Sequence, residues 1–195
     1  MFRVAFLILS IYAPSAVIAT ASCPDNDDGW AFMSSTTSPS YLRERNFNTD
    51  PQGRDLTQCV SFETTRVDDS KSEIEQDISY YNVSSRQWKT FHKTYKVAPW
   101  GTGETKRNYF ESPSRTGKPL TYLVLFAGED CIVAKLLYRS SGQHRACELL
   151  VKRGYFKKSV SSRCCDHTYS TSCDTTKQIL YKPRKCSTLN KAKKG

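Results

Sequence analysis

Glycine and proline are scarce, at nine and eight of 195 residues, which excludes a collagen-like or linker-dominated chain. The signatures of catalytic chemistry are missing as well: there is no GxSxG, no HExxH, no Walker loop and no CxxC pair. The chain therefore reads as a non-enzyme without a cofactor or a resident metal. Acidic residues are nearly absent from the C-terminal stretch. Residues 151–195 hold 12 basic side chains against only Asp166 and Asp174, whereas residues 1–150 hold 17 of each sign. The net charge of +10 thus belongs to one segment and not to the whole chain. After the first residues, no apolar run approaches the ~20 needed for a helix to span a bilayer. What is abundant is aromatic: Phe, Tyr and Trp make up 12%, too many for a disordered chain, and the length suits one domain with a real core.

Met1-Phe2-Arg3 is a short basic start, Val4 to Ala13 is largely apolar, Pro14 and Ser15 break the run, and Ala19-Thr20-Ala21 is a small-x-small cleavage site. Residues 1–21 are thus read as a secretory signal peptide, which makes the mature chain extracellular. All eight cysteines come after it: Cys23, Cys59, Cys131, Cys147, Cys164, Cys165, Cys173 and Cys186. An even count in an oxidising compartment reads as four disulfides, with 105 pairings open to sequence logic. Cys164 and Cys165 are adjacent and must reach different partners. Asn82-Val83-Ser84 is a glycosylation sequon, placing Asn82 on an exported surface turn.

The remaining chain reads as short strands near 40–47, 58–66, 75–82, 88–97, 105–111, 119–126, 131–139 and 146–152, divided by turn residues such as Asp50-Pro51-Gln52-Gly53 and Ser140-Ser141-Gly142. Eight strands at regular spacing without βαβ alternation argue for an antiparallel barrel or sandwich, and an eight-stranded barrel can hold one small ligand. Period-two alternation sets Tyr122, Val124 and Phe126 on one face and Ile132, Ala134 and Leu136 on one face. Trp30, Ala31 and Phe32 can start a short helix or lid. Residues 160–173 are helical or irregular and pinned by three cysteines, and a short strand over 178–181 comes next.

Few residues suggest chemistry. His92, His144 and His167 sit in unrelated surface contexts. Cys164-Cys165-Asp166-His167 with Cys173 has a metal-like composition, but in an exported chain those sulfurs belong to disulfides. The tail (Lys182, Arg184, Lys185, Lys191, Lys193, Lys194) has no interleaved aromatics for base stacking, so nucleic acid is not indicated. A heparan sulfate surface remains open for it. Glu148 stands within Ala146-Cys147-Glu148-Leu149-Leu150-Val151, on the face of Leu150 in alternating register. Inside a barrel such a carboxylate would pair with a cationic amine, and a ring face would add about 0.5–2 kcal/mol. Asp50, taken by itself, reads as an ordinary Asp-Pro turn residue.

Three blocks resemble the tick salivary lipocalins, the tick histamine-binding protein family. They are Tyr41-Leu42-Arg43-Glu44-Arg45-Asn46-Phe47-Asn48-Thr49-Asp50-Pro51 followed by Cys59; Leu123-Val124-Leu125-Phe126 through Asp130-Cys131-Ile132-Val133; and Cys147-Glu148-Leu149-Leu150-Val151, then Cys164-Cys165, Tyr181 and Cys186. The resemblance implies an all-β, eight-stranded antiparallel lipocalin barrel over residues 22–186 with a C-terminal helix packed outside, and a basic tail over 187–195. It implies the pairs Cys59–Cys186, Cys131–Cys165, Cys23–Cys164 and Cys147–Cys173.

It also implies a ligand site built from Asp50, Glu148 and Phe47, with Phe47 where a tyrosine often sits. Amine-binding members of the family typically carry an acid after the third of these cysteines and an aromatic after Glu-Leu; here Ile132 and Leu150 stand at those positions, so one amine site remains of two. The function implied is a monomeric salivary protein that sequesters a small host mediator, a biogenic amine such as histamine or serotonin, or a lipid mediator, to suppress host defence. A lipid carboxylate would need a basic residue by the pocket, such as Lys135 or Arg107. The alternative is an inhibitor of a host immune or complement protein, acting through the barrel loops and basic surface.

Overall fold

The structure is a computed structural model and describes residues 23–47, 57–114, 117–157 and 161–191. The strands are β1 (Ser40–Arg45), β2 (Thr57–Asp68), β3 (Glu73–Asn82), β4 (Gln87–Ala98), β5 (Tyr109–Ser112), β6 (Leu120–Ala127), β7 (Cys131–Leu136), β8 (Cys147–Lys152) and β9 (Gln178–Ile179). All neighbours pair antiparallel in the order β2-β3-β4-β5-β6-β7-β8-β1, with β9 added beside β1. β1 also pairs with β2, through Ser40↔Phe62 and Tyr41↔Ser61, so the first eight strands close on themselves. Closure removes the exposed sheet edges that an open antiparallel sheet would leave for aggregation. Of the barrel and the sandwich left open by strand spacing, the eight-stranded barrel implied by the family resemblance is the observed fold.

Alternation builds the interior. Along β3, Ile74, Gln76, Ile78 and Tyr80 are buried while their neighbours are half-buried. Each fully buried aliphatic or phenyl side chain contributes about 1.5–3 kcal/mol of transfer free energy. One predicted face is corrected. The β6–β7 register shifts between Val124 and Phe126. Tyr122 and Val124 therefore point into the barrel, but Phe126 turns outward and packs with Cys131, Val133, Leu149 and Val151. A bulge adds a residue to one strand and re-aims the side chains beyond it, and period-two counting cannot see it.

A single helical turn, α1 (Trp30–Met33), plugs one end of the barrel with buried Trp30, Phe32 and Met33. Backbone and side chains fasten it there. Thr64 Oγ1 donates to the Met33 carbonyl at 2.8 Å, and Gln76 Nε2 donates to Thr64 Oγ1 at 3.0 Å. The lead-in is held by Lys106 Nζ at 2.8 Å from Asp27 Oδ1, and by Asn108 Nδ2 donating to Asp27 Oδ2 at 2.7 Å. Burial alone would raise the Asp27 carboxyl, but the hydrogen bonds from Lys106 and Asn108 outweigh it and hold the group below its ordinary value.

Outside the barrel, α2 (Ser161–Ser172) covers β6, β7 and β8. Buried Cys165, Tyr169 and Cys173 meet the outward residues of β7 and β8 there, so both faces of β8 are buried. α3 (Pro183–Lys191) lies against the start of β4, where Trp88 Nε1 donates to the Leu189 carbonyl at 3.3 Å. It also takes in the first part of the stretch read from sequence as a tail. Disulfides join Cys23–Cys164, Cys59–Cys186, Cys131–Cys165 and Cys147–Cys173. Three of them tie α2 or its C-terminal end to the barrel and the N-terminal segment, and the fourth anchors α3. Among the described residues, no helix is long and apolar enough to cross a membrane, and no cluster of His, Cys, Asp and Glu could hold a metal ion.

Candidate functional site

The barrel interior holds a cavity of about 60 Å³. At about 10–15 Å³ per water centre and about 30 Å³ per water in the liquid, that is room for roughly four to six waters. The bulk is that of a small organic molecule. It falls well short of the ~300–1,000 Å³ of pockets for drug-sized ligands. The walls are largely apolar and aromatic, with Phe62, Phe91, Tyr95, Phe110, Ile132 and Leu150 among them. The charged side chains in the lining are Lys93 and Glu148.

Glu148 comes from β8 and is 7% exposed. The alternation that sets it beside Leu150 has only one inward solution, because Leu149 and Val151 are taken up by the cover of α2. Its direct cross-strand partner is Arg45 of β1, which is fully buried and donates from Nε to Gln178 Oε1 at 2.7 Å. Paired residues project from the same face, so Arg45 and Glu148 share one side of the sheet.

Lys93 comes from β4, where Phe91, Lys93, Tyr95 and Val97 alternate inward. It is 8% exposed, and its Nζ donates to the Tyr122 hydroxyl at 2.8 Å. The same Nζ lies 4.7 Å from the Tyr95 ring centre and 4.8 Å from that of Tyr122. Burial pushes the Tyr122 phenol well above its ordinary value, aided by neighbouring Tyr138, Tyr95 and Glu148. Tyr122 therefore keeps its proton throughout the physiological range and serves Lys93 as a neutral acceptor. The resulting corner is aromatic on two sides and already carries a cation.

The residues selected from sequence do not all meet. Glu148 lines the cavity. Phe47 is buried at 5% exposure, with the Arg139 guanidinium 4.7 Å and the Arg45 guanidinium 5.2 Å from its ring centre, but it is not in the lining. Asp50 lies outside the described residues. Asn82 ends β3, and its Oδ1 accepts from the Ser85 backbone at 2.9 Å. Of the basic residues suggested for a lipid carboxylate, neither lines the cavity. Lys135 is set among the outward positions of β7, and Arg107 lies over Trp30 at 3.9 Å while bonding Asp69 at 2.8 Å. The basic residue that does line it, Lys93, was missed. Its signal was the spacing of Phe91, Lys93, Tyr95 and Val97 inside a strand already assigned.

β4 and β5 pair only from Lys96↔Glu111 to Ala98↔Tyr109. Beside the earlier part of β4 lies a surface hollow of about 340 Å³, walled by Phe91, Lys93, Ser112 and Pro113. Phe91 and Lys93 thus border both the interior cavity and this hollow.

A family sequence model described as tick histamine binding protein matches residues 20–188. Among solved structures, the chain is similar to the AM182 serotonin complex, with 16% identity, a TM-score of 0.57, and 84% of this chain and 96% of that chain covered. It is also similar to the tryptamine complex of the amine binding protein of Rhodnius prolixus, with 14% identity, a TM-score of 0.43, and 86% and 93% covered. No curated protein sequence matches it. At such identities the first of these likenesses bears on the barrel alone.

Proposed function

The chain belongs to the tick histamine-binding protein family, matched over residues 20–188, and from that premise we propose that it is a secreted, non-enzymatic protein that sequesters a small biogenic amine within its barrel. The observation that carries the reading is Glu148: a buried carboxylate in the wall of a small aromatic cavity. An amine leaving water for such a site needs a paired anion, and Glu148 supplies it. Aromatic walls add a contribution that an aliphatic pocket would not. Asp50 is proposed as a second carboxylate for the same ligand, and Phe47 as support behind the site.

Cavity size favours the amine over the lipid reading. A leukotriene or fatty acid needs several times the bulk of four to six waters, whereas a one-ring or two-ring amine is of the right order. Capture of a host amine in saliva would lower its free concentration at the bite and blunt the host response. Export would remove residues 1–21, and Asn82 would carry sugar.

Calorimetric titration of the secreted protein with histamine, serotonin and leukotriene tests the reading. Saturable heat with at least one amine and none with leukotriene is expected. Heat with leukotriene alone rejects it.

A further inference from the structure

We infer that the outer face formed by the 3-10 turn Arg153–Phe156, β1 and the start of α3 is a binding site for a sulfated glycosaminoglycan, separate from the barrel interior. It does not depend on what the barrel holds. Three chain segments meet there. The turn follows β8, whose Val151 pairs with Tyr41 of β1. On the other side of β1, β9 pairs Ile179 with Glu44, and the Leu180 backbone donates to the Arg43 carbonyl at 3.0 Å. Tyr181 is thereby brought alongside Tyr41, and the two rings stack with centres 4.1 Å apart. Phe156 adds a third ring 6.0 Å from Tyr181, and Tyr155 a fourth 5.4 Å from Phe156. Phe156 leaves 37% of its surface in water, although burial would favour a phenyl side chain.

Cations stand along this aromatic ridge. Arg43 Nη1 donates to the Tyr181 carbonyl at 3.0 Å. Burial and Tyr41 push the Tyr181 phenol up to about 12 while the charge of Arg153 opposes the rise, which sets that guanidinium near the ring. Lys182 comes next in the chain, and Arg184 and Lys185 stand in the first turn of α3, which holds no acid. A helix start carries partial positive charge and favours anions, so these cations leave that end uncompensated. Arg153, Lys182, Arg184 and Lys185 are all exposed, and no ion pair among the described residues takes them up. Burial, Asp166 and Glu44 push the Tyr155 phenol up, yet both of these carboxylates are engaged. Asp166 accepts from the Tyr155 hydroxyl at 2.7 Å, and Glu44 lies 3.8 Å from Arg43 and 3.9 Å from Lys177.

Charge complementarity calls for a polyanion, and the rings decide its kind. Guanidinium forks match the paired oxygens of a sulfate or carboxylate group. The C–H edges of a pyranose ring pack on an aromatic face. Nucleic acid would need open ring faces for its bases, but Tyr41 and Tyr181 cover each other. Four disulfides suit an oxidising, extracellular setting, where glycans and not nucleic acids present the negative charge.

Heparin octasaccharide, inorganic polyphosphate and an oligothymidylate are titrated into the full, disulfide-intact protein at about 0.15 M salt, with thermal melts of every variant. The octasaccharide is expected to bind, and the double variant R153Q/K182Q to weaken it about tenfold, since both side chains are exposed and carry charge alone. F156L keeps bulk and removes the ring face; it is expected to weaken the octasaccharide about threefold and to leave polyphosphate within about twofold, because polyphosphate has no sugar ring to stack. K193Q/K194Q, in the tail, is expected to change the octasaccharide by less than about twofold. No binding of the octasaccharide overturns the site, and so does an affinity untouched by R153Q/K182Q or lost only with the tail substitutions. Oligothymidylate bound as tightly as the octasaccharide, or polyphosphate weakened by F156L to the same degree, marks a general polyanion surface and overturns the glycan assignment. Each of these failures leaves the amine reading of the barrel standing.

Discussion

Gly29→Ala sets backbone propensity directly against packing. Gly29 precedes α1 with φ −85° and ψ −6°, a conformation that alanine adopts freely. On backbone grounds alone the substitution stabilises, by about 0.4–1 kcal/mol, because it narrows the unfolded ensemble. The surroundings say the opposite. A Cβ at this position would lie 2.8 Å from Val124 Cγ2, 3.0 Å from Ile132 Cδ1 and 3.0 Å from Phe110 Cε2. All three side chains are at most 3% exposed, so none can swing out to water. Overpacking of this kind costs about 1–3 kcal/mol, and the net expectation is a loss of about 1–2 kcal/mol.

For a chain of this size that loss corresponds to a fall in Tm of about 2–8 °C. Val124 and Ile132 also line the cavity, and the space on their far side is where they would yield. Ligand affinity is therefore expected to fall together with stability. Thermal and urea unfolding of the wild type and G29A, with and without serotonin, measure both. A Tm equal to or above that of the wild type would refute the claim that α1 is pressed into the barrel end at Gly29.

Charge, cross-linking and pH each give a further expected outcome. Glu148→Gln keeps shape and removes charge, so amine affinity is expected to drop by about 2–3 kcal/mol, roughly 30- to 150-fold by calorimetry, and Tm is expected to fall as well because the fully buried Arg45 loses its cross-strand carboxylate; an unchanged affinity refutes the pairing. Replacing Cys147 and Cys173 together by alanine opens a bridge spanning 26 residues, and loop entropy puts the cost near ~3.5 kcal/mol in urea unfolding. A loss well under ~1 kcal/mol would mean that α2 is held without it. Acidification should loosen α1: because the Asp27 carboxyl is held below its ordinary value in the fold, its stabilisation is present above the unfolded carboxylate range and is lost as pH falls through the lowered value. Hydrogen exchange at Gly29, Trp30 and Met33 should speed up on that descent, and D27N should flatten the change.

The strands were legible because several carry a period-two pattern and the turns between them are marked by Pro, Gly and Asp, while closure into a barrel and not a sandwich came from the family resemblance. The α2 cover was legible only as a cysteine-pinned segment. What stayed hidden depends on pairing. Phe126 obeys its alternation in the sequence, yet the register shift after Val124 turns it outward. Glu148 could not be assigned a face from periodicity, since β8 is buried on both sides and the choice is made by α2. Lys93 is hidden for a different reason: its strand is legible, but nothing in the sequence singles out its side chain from the other strand lysines as an inward one. The charge excess pointed away from the site. Of the described residues that carry it, Arg184, Lys185 and Lys191 belong to α3, Arg163 to α2 and Lys152 to the end of β8, and the two charged groups of the cavity come from β4 and β8.

The central claim is that one small amine is held inside the barrel by Glu148. The most direct measurement is calorimetric titration of the secreted, disulfide-intact protein with serotonin, run beside its E148Q variant. Saturable heat with a stoichiometry near one, weakened in an E148Q variant that still unfolds cooperatively, is the predicted result. A wild type that takes up no amine, or an E148Q variant that binds as tightly as the wild type, contradicts it.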